Sequence, residues 1–430
     1  MPSTPRIVIT GTGAICGAGQ TPDEIWEAVS AGRSAIGPIQ QWDASHWPTQ
    51  IAAEVPNLQS AKLLGDRKLL KLIRRTDVFG LYAAGRAIES SGVVGYRDGL
   101  DSDAAAAFND RSAVYVGSGG GTYDSQYDYF PLLSVAAGSL EAFGRELENT
   151  VNPMWLLRAL PNNVLCHIGI RYNLKGANAC ITNHSVGSSL AIGEAMAALR
   201  AGEADRAVVV GHDALIEPQQ VLYYQRAGLL TADTIRPFDA GRSGSAFGEG
   251  AGALMLETDA AAAARGAAIL GECLGSGATT DAQGLLAIRD DGDGLARAIA
   301  AALETAGIDT GDVGMIVAHG NGTRQSDASE AAAIRTVFGE SPPPVTAFKW
   351  AFGHLIAASG IAETVAGLRA LREGIVPGIA TLRELDPECA GLPVAATPRA
   401  PRSDIALVLS RGFAGTNAAL LVRGVTPDRR

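Results

Sequence analysis

Short apolar runs rich in β-branched residues alternate along this chain with alanine-rich stretches whose apolar positions recur at helical spacing. The runs are RIVITG, SAVYVGS, RAVVVGH, GALMLE, GMIVAHG, DIALVLS and NAALLVR, and the helical stretches include Ile192–Ala201, Leu295–Ala306 and Ser359–Arg372. Such alternation predicts βα units, an α/β class, and sheets covered by helices on both faces. An alanine-rich connector, Glu257–Gly266, follows GALMLE and divides the chain into a longer part, residues 1–258, and a shorter part, residues 259–430. Each part carries a strand followed by a sharp turn and a helix, or by a glycine-rich turn. That pattern suggests two similar halves packed together.

Composition narrows the class. Apolar residues make up 47% and charged residues 19% of 430, which describes a well-buried globular chain large enough for two ordinary domains. No apolar run is long enough to span a membrane. The N-terminus enters a strand at once, without a basic segment followed by an apolar one, so a cytoplasmic protein without a signal peptide is expected. The net charge is −10, and with a single exception the chain has no Lys/Arg block with which to grip nucleic acid. One basic run, Arg67–Arg75, stands out. A solvated helix face is its ordinary reading, and a docking face for an acidic partner such as a carrier domain is the sharper one. Five cysteines (Cys16, Cys166, Cys180, Cys273, Cys389) show no CxxC pair, which favours reduced, mostly buried thiols over disulfides or a zinc site.

Glycine clusters punctuate the chain. ITGTGAICGAG (Ile9–Gly19) lacks the full GxGxxG order and a suitably placed acidic residue, so it reads as a tight βα turn rather than a nucleotide loop. GSGGGTYDSQYDYF (Gly117–Phe130) fits the lining of a cavity or an interface. FDAGRSGSAFGEGAGALMLE (Phe238–Glu257) is dense enough in glycine to suggest close backbone packing.

The chemistry gathers in three places. GANACITNHSVGSSLAIGEA (Gly176–Ala195) reads as a buried strand, a sharp turn and a helix, with Ser185 at the elbow. AHGNGT (Ala318–Thr323) and KWAFGHLIAASG (Lys349–Gly360) each offer one histidine, His319 and His354. A side chain at a helix-entry elbow plus two distant histidines is an acyl-transfer constellation. Cys180, five residues before the elbow in an apolar run, reads as a small core residue.

Taken together and in order, these motifs resemble the β-ketoacyl-ACP synthase I/II group of thiolase-fold condensing enzymes, almost end to end. The resemblance is carried by VITGTGAICGAG, NPMWLLRALPNNVLCHIGIRYNLKG, RPFDAGRSGSAFGEGAGALMLE, AHGNGT, KWAFGHLIAASGIAE and SRGFAGTNAALLV. It implies two fused βαβαβ halves forming a five-layered αβαβα sandwich, with the elbow in the first half and both histidines in the second. A homodimer is implied, or a heterodimer with another ketosynthase, with a pantetheine tunnel reaching the elbow. It also implies decarboxylative condensation of acyl and malonyl groups borne by an acyl carrier protein. No metal or organic cofactor is implied, since phosphopantetheine arrives on the carrier. By the same resemblance His319 and His354 are catalytic, Lys349 and Glu363 form a structural pair, and Thr323 contacts pantetheine. Asn321, Arg411 and Phe413 line the substrate site, and the backbone N–H groups of Ser185 and Arg411 form the oxyanion hole.

The departures bear on activity. Ser185 stands where the family carries its nucleophilic cysteine. An alcohol is a far weaker acid than a thiol of pKa about 8.5, and a helix dipole worth on the order of 1 kcal/mol does not close that gap. Serine therefore needs a base, and His184 reads as a poor one, because neighbours on an extended segment point to opposite sides. Asn321 replaces the first threonine of the family's HGTxT element, and Arg324 replaces the proline that usually follows. Arg411 stands for the first phenylalanine of FGFGGTN, where it either meets a substrate carboxylate or turns aside to a nearby acid. Four readings follow: a malonyl-ACP decarboxylase, a serine acyltransferase, a chain-length-factor-like partner without catalysis, and an engineered cysteine-to-serine form of an ordinary elongating synthase.

Overall fold

The computed structural model describes residues 4–120 and 127–425. Ten strands form its framework: β1 (Ile7–Cys16), β2 (Ser112–Ser118), β3 (Asn178–Ile181), β4 (Arg206–Ala214), β5 (Glu249–Thr258), β6 (Gly271–Thr280), β7 (Met315–Val317), β8 (Val345–Thr346), β9 (Ile405–Gly412) and β10 (Thr416–Gly424). Hydrogen-bonded neighbours run β8-β7-β9-β10-β6-β1-β5-β4-β2-β3. Each set of five therefore has the same order: third, second, fourth, fifth, first. In each set the fifth strand is antiparallel to its neighbours and the second, third and fourth are parallel. The two sets meet where Ile7–Ile9 pairs antiparallel with Gly271–Cys273.

Five helices complete the layers: α1 (Arg75–Ser91), α2 (Gly187–Arg200), α3 (Asp293–Ala306), α4 (Arg324–Phe338) and α5 (Ser359–Glu373). Helix α1 packs on β1, β4 and β5, and α3 occupies the matching place on β6 and β10. Helix α2 packs on β2 and β4 and α5 on β9 and β10, and the two touch each other between the sheets. The α/β thiolase-like sandwich, with layers α, β, α, β, α, is thus formed. Helix α5 is buried from Ser359 through Leu368, as its run of small and apolar residues on every face requires.

The glycines inside strands carry the repeat. A Cβ on Gly11 or Gly13 would lie 2.1 Å from the carbonyl oxygens of Ala87 or Ala83 on α1; on Gly275 or Gly277 it would lie 2.5 or 2.2 Å from those of Ala302 or Ala298 on α3. The first glycine cluster is therefore only in part a βα turn. Gly11 and Gly13 lie within β1 and let a helix ride close over it. Gly17 and Gly19 form the tight turn from β1 into the helix Pro22–Ser30, with Cys16 and Gly19 exchanging backbone hydrogen bonds at 2.8 and 3.1 Å. The strand before the elbow is also not buried. β3 is the outer strand of its set, paired only with β2, and its residues are half-buried or exposed. Cys180 on β3 is accordingly half-buried rather than a core residue, its thiol 3.3 Å from the Pro161 carbonyl. The stretch Gly117–Phe130 falls partly outside the described residues, at 121–126. Among the described residues no helix is long and apolar enough to cross a membrane.

Candidate active site

Two tight turns enter the central helices. His184–Val186 leads into α2 and Ile356–Ala358 into α5, and each begins with a non-glycine residue in the left-handed region, His184 at φ +44° and Ile356 at φ +48°. A branched residue at positive φ is strained, and it persists here because Ile356 is fully buried and held by its surroundings. Small residues let these turns meet. A Cβ on Gly117 would lie 2.4 Å from the Ser188 nitrogen, and one on Gly360 2.1 Å from the Ser189 hydroxyl. Ser185, 2% exposed, sits on the first turn beside Gly412, whose Cβ position is 3.6 Å from the Ser185 nitrogen.

His184 departs from the sequence expectation. The segment is not extended there. Its left-handed backbone swings the imidazole to the same side as the serine, and Nδ1 lies 2.9 Å from Ser185 Oγ. Nε2 meets the Tyr224 hydroxyl, and the ring stacks on Phe413 with centroids 4.6 Å apart. Burial lowers the imidazole's pKa from its ordinary 6.5 to about 4, so it is neutral near pH 7.

The second half supplies the histidines. His319 follows β7, and its backbone N–H and that of Gly320 donate to the two oxygens of Glu330 at 2.7 and 2.9 Å. Its Nδ1 accepts from the Arg411 backbone N–H at 3.3 Å, and its carbonyl accepts from Lys349 Nζ at 2.7 Å. Lys349 also contacts Glu363 Oε1 at 2.6 Å, both side chains fully buried. Burial pushes the Glu363 carboxyl up, and the Lys349 charge opposes that rise. His354 is fixed by its backbone, donating to the Ala246 carbonyl at 2.8 Å and accepting from Gly248 at 3.0 Å. Its Nε2 is buried and has no hydrogen-bond partner among the described residues. The two imidazoles cross edge to face, centroids 5.2 Å apart and planes at 81°. Burial first, then the Lys349 charge, hold both well below the ordinary histidine pKa.

The remaining residues fall into place around this centre. Asn321 Oδ1 accepts from both the backbone N–H and the hydroxyl of Thr323, at 2.9 and 2.8 Å, shaping the turn into α4. The Arg411 side chain turns aside. Its guanidinium donates to Asn417 Oδ1 and the Ser326 carbonyl and lies 3.7 Å from Asp281. Because its backbone N–H is held by His319, Arg411 does not supply the oxyanion-hole donor that the resemblance implied. Phe413 covers His184 from a loop with two left-handed residues, Ala414 at φ +59° and Gly415 at φ +64°. In the basic run, Arg74 pairs with Asp128 and Arg75 with Glu249, leaving Arg67, Lys68 and Lys71 exposed.

Sequence reading missed three residues. Glu330 grips the His319 loop. Asp327, one turn earlier on α4, accepts from Phe238 N–H at 2.8 Å and Gly322 N–H at 3.2 Å. Their signal was present: two acids three apart on a face otherwise made of Ala and Ser. Tyr224 had none, since VLYYQR (Val221–Arg226) offers two adjacent tyrosines with nothing to distinguish one from the other.

The match to known proteins covers this whole arrangement. Residues 4–262 match the family model for the β-ketoacyl synthase N-terminal domain, and residues 270–383 that for its C-terminal domain. The chain is 33% identical over 426 residues to nodulation protein E of Rhizobium meliloti (strain 1021), covering 98% of this chain and 99% of the relative. It is 33% identical over 427 residues to 3-oxoacyl-[acyl-carrier-protein] synthase 2 of Synechocystis sp., covering 96% and 97%. Among solved structures, the ishigamide ketosynthase/chain length factor superposes with a TM-score of 0.86 at 31% identity, covering 98% of this chain and all of the other. The chain belongs to the β-ketoacyl synthase family.

Proposed function

We propose that this protein decarboxylates malonyl groups carried as thioesters on an acyl carrier protein. The observation that carries the reading is the histidine pair: two neutral imidazoles 5.2 Å apart, one with Nδ1 occupied by a backbone N–H and the other with a buried, unpartnered Nε2. Occupied Nδ1 leaves the ring proton of His319 on Nε2. That N–H, together with His354 in the tautomer that carries its proton on the unpartnered Nε2, then faces the thioester oxygen of a malonyl group. As the C–C bond to the carboxylate breaks, CO2 leaves and the electron pair becomes an enolate held by those donors. Protonation of the enolate carbon from water gives the acetyl thioester. Lys349 and Glu363 hold the His319 loop and take no proton in the step.

Elongation would need, in addition, an acyl group parked at the elbow, a step this reading does not require of Ser185. The likeness to a ketosynthase/chain length factor favours a second reading, a partner subunit without catalysis. The assembled histidines and lysine argue against it. Thr323, Asn321 and Phe413 line the pantetheine path in this proposal, and the phosphopantetheine arrives as part of the substrate, with no resident cofactor. Arg67, Lys68 and Lys71 receive the acidic carrier. The half-open edge of β3, with exposed Ile170, Leu156 and Leu157 in the same region of the chain, is where a second copy or a related ketosynthase pairs. The division at residues 258/259 then separates the half with the elbow from the half with the histidines, in a cytoplasmic protein. Intact-mass analysis of malonyl carrier protein incubated with the chain tests the proposal through conversion to acetyl carrier protein.

A further inference from the structure

We propose that His184 is the general base of Ser185, and that the pair accepts acyl groups from thioesters as an oxygen ester on the serine. The inference rests on the family reading only in that acyl thioesters reach the elbow. It does not depend on decarboxylation.

The geometry has the three parts that an activated serine needs: nucleophile, base and a group that orients the base. Ser185 Oγ lies 2.9 Å from His184 Nδ1. The other ring nitrogen is held by the Tyr224 hydroxyl, so with Nε2–H donating to tyrosine, Nδ1 is left as the acceptor for the serine proton. The ring cannot drift, because it lies against Phe413 at 4.6 Å and Tyr224 at 6.0 Å, and Tyr224 is itself packed on Phe247 at 4.7 Å. The left-handed backbone at His184 is what creates the contact, since an extended residue would present its side chain to the far side. This is also the strained position that a site of this kind uses.

The step balances without any further reactant. Ser185 Oγ attacks the thioester carbonyl while its proton passes to His184 Nδ1. The C–S bond breaks, the sulfur leaves as thiolate, and the imidazolium returns the proton to it. The products are the seryl ester and the free pantetheine thiol. Burial keeps the imidazole unprotonated near neutral pH and weakens it as a base, so the held geometry has to carry the activation, while its conjugate acid readily gives the proton to the departing sulfur. A cysteine at this position would need none of this, because a thiolate forms unaided. Tyr224 is a positioning residue here, acting through His184.

The test uses hexanoyl and acetyl pantetheine thioesters with the full chain, reading covalent adduct on the Ser185 peptide by mass spectrometry. Wild type is expected to form the adduct. His184→Gln is expected to slow it by about 100-fold or more. In the Ser185→Cys background the same His184→Gln change is expected to slow acylation by no more than about threefold, since the thiolate needs no base. Equal losses in the two backgrounds would reduce His184 to a packing neighbour and overturn the proposal, as would wild type that never acquires an adduct. If Ser185→Cys does not fold, labelling of wild type by a sulfonyl fluoride serves instead. Ser185 modification that falls about fivefold in Tyr224→Phe supports the relay, and an unreactive Ser185 contradicts it. Malonyl carrier protein added to the same samples keeps the two readings apart. Decarboxylation without adduct removes the base assignment and leaves the proposed function, whereas adduct without decarboxylation does the reverse.

Discussion

The backbone N–H of Arg411 donates to Nδ1 of His319 across 3.3 Å, so a residue of β9 sets the tautomer of a histidine that follows β7. The ring proton is thereby placed on Nε2. The arginine side chain makes this bond dependable by anchoring the strand end to Asn417 and Ser326.

Neutral imidazoles as the working form have a pH consequence. Both histidines titrate well below 6.5, so they remain neutral as the pH falls to about 6. Decarboxylation is expected to stay flat between about pH 6 and 8. A histidine of ordinary pKa would instead lose about fourfold by pH 6 if its neutral form were required. The profile is read from initial rates of acetyl carrier protein formation.

Lys349→Met removes one partner of a fully buried ion pair and strands Glu363. A stability loss of roughly 3–5 kcal/mol is expected by urea unfolding at pH 8. The sign with pH follows from Glu363. Its folded pKa is raised by burial, so the folded state holds the proton more tightly than the unfolded chain. That contribution is favourable at low pH and is lost as pH rises from the ordinary carboxylate range through the raised value. The loss on Lys349→Met is therefore smaller at pH 5 than at pH 8, and Lys349→Met with Glu363→Gln recovers part of it.

Ala414→Gly addresses the loop that carries Phe413. Ala414 holds φ +59°, a conformation costing an L-residue on the order of 1 kcal/mol relative to glycine. Stability is expected to rise by up to that amount, measured as a higher urea midpoint with an unchanged slope.

Replacing exposed Arg67, Lys68 and Lys71 with glutamate tests carrier docking. KM for malonyl carrier protein is expected to rise at least tenfold at low salt, while turnover of a malonyl pantetheine thioester stays within about twofold. Equal effects on both substrates would place the carrier elsewhere.

Much of the architecture was legible because its elements obey simple periodicities. SAVYVGS is β2 to the residue, and Leu295–Ala306 and Ser359–Arg372 fall inside α3 and α5. What escaped was set by packing between distant segments. GECLGSGATT shows no strand pattern, because its glycines answer to α3 rather than to the pleat. The ITGTGA glycines were misplaced in a turn for the same reason. At the site, the paired histidines, Lys349 and Glu363 were readable from ordered motifs. The orientation of His184 was not, since one left-handed φ reverses the side on which a neighbour points. Arg411's direction was equally hidden, as Asp281 and Asn417 approach it only through the sheet.

Malonyl carrier protein incubated with the wild-type chain, followed by intact mass, tests the central claim most directly. The expected result is acetyl carrier protein, with conversion lowered by about 100-fold or more in His319→Ala and in His354→Ala. Malonyl carrier protein that emerges unchanged, from a folded chain at neutral pH, would contradict it and leave the histidine pair without the chemistry assigned to it.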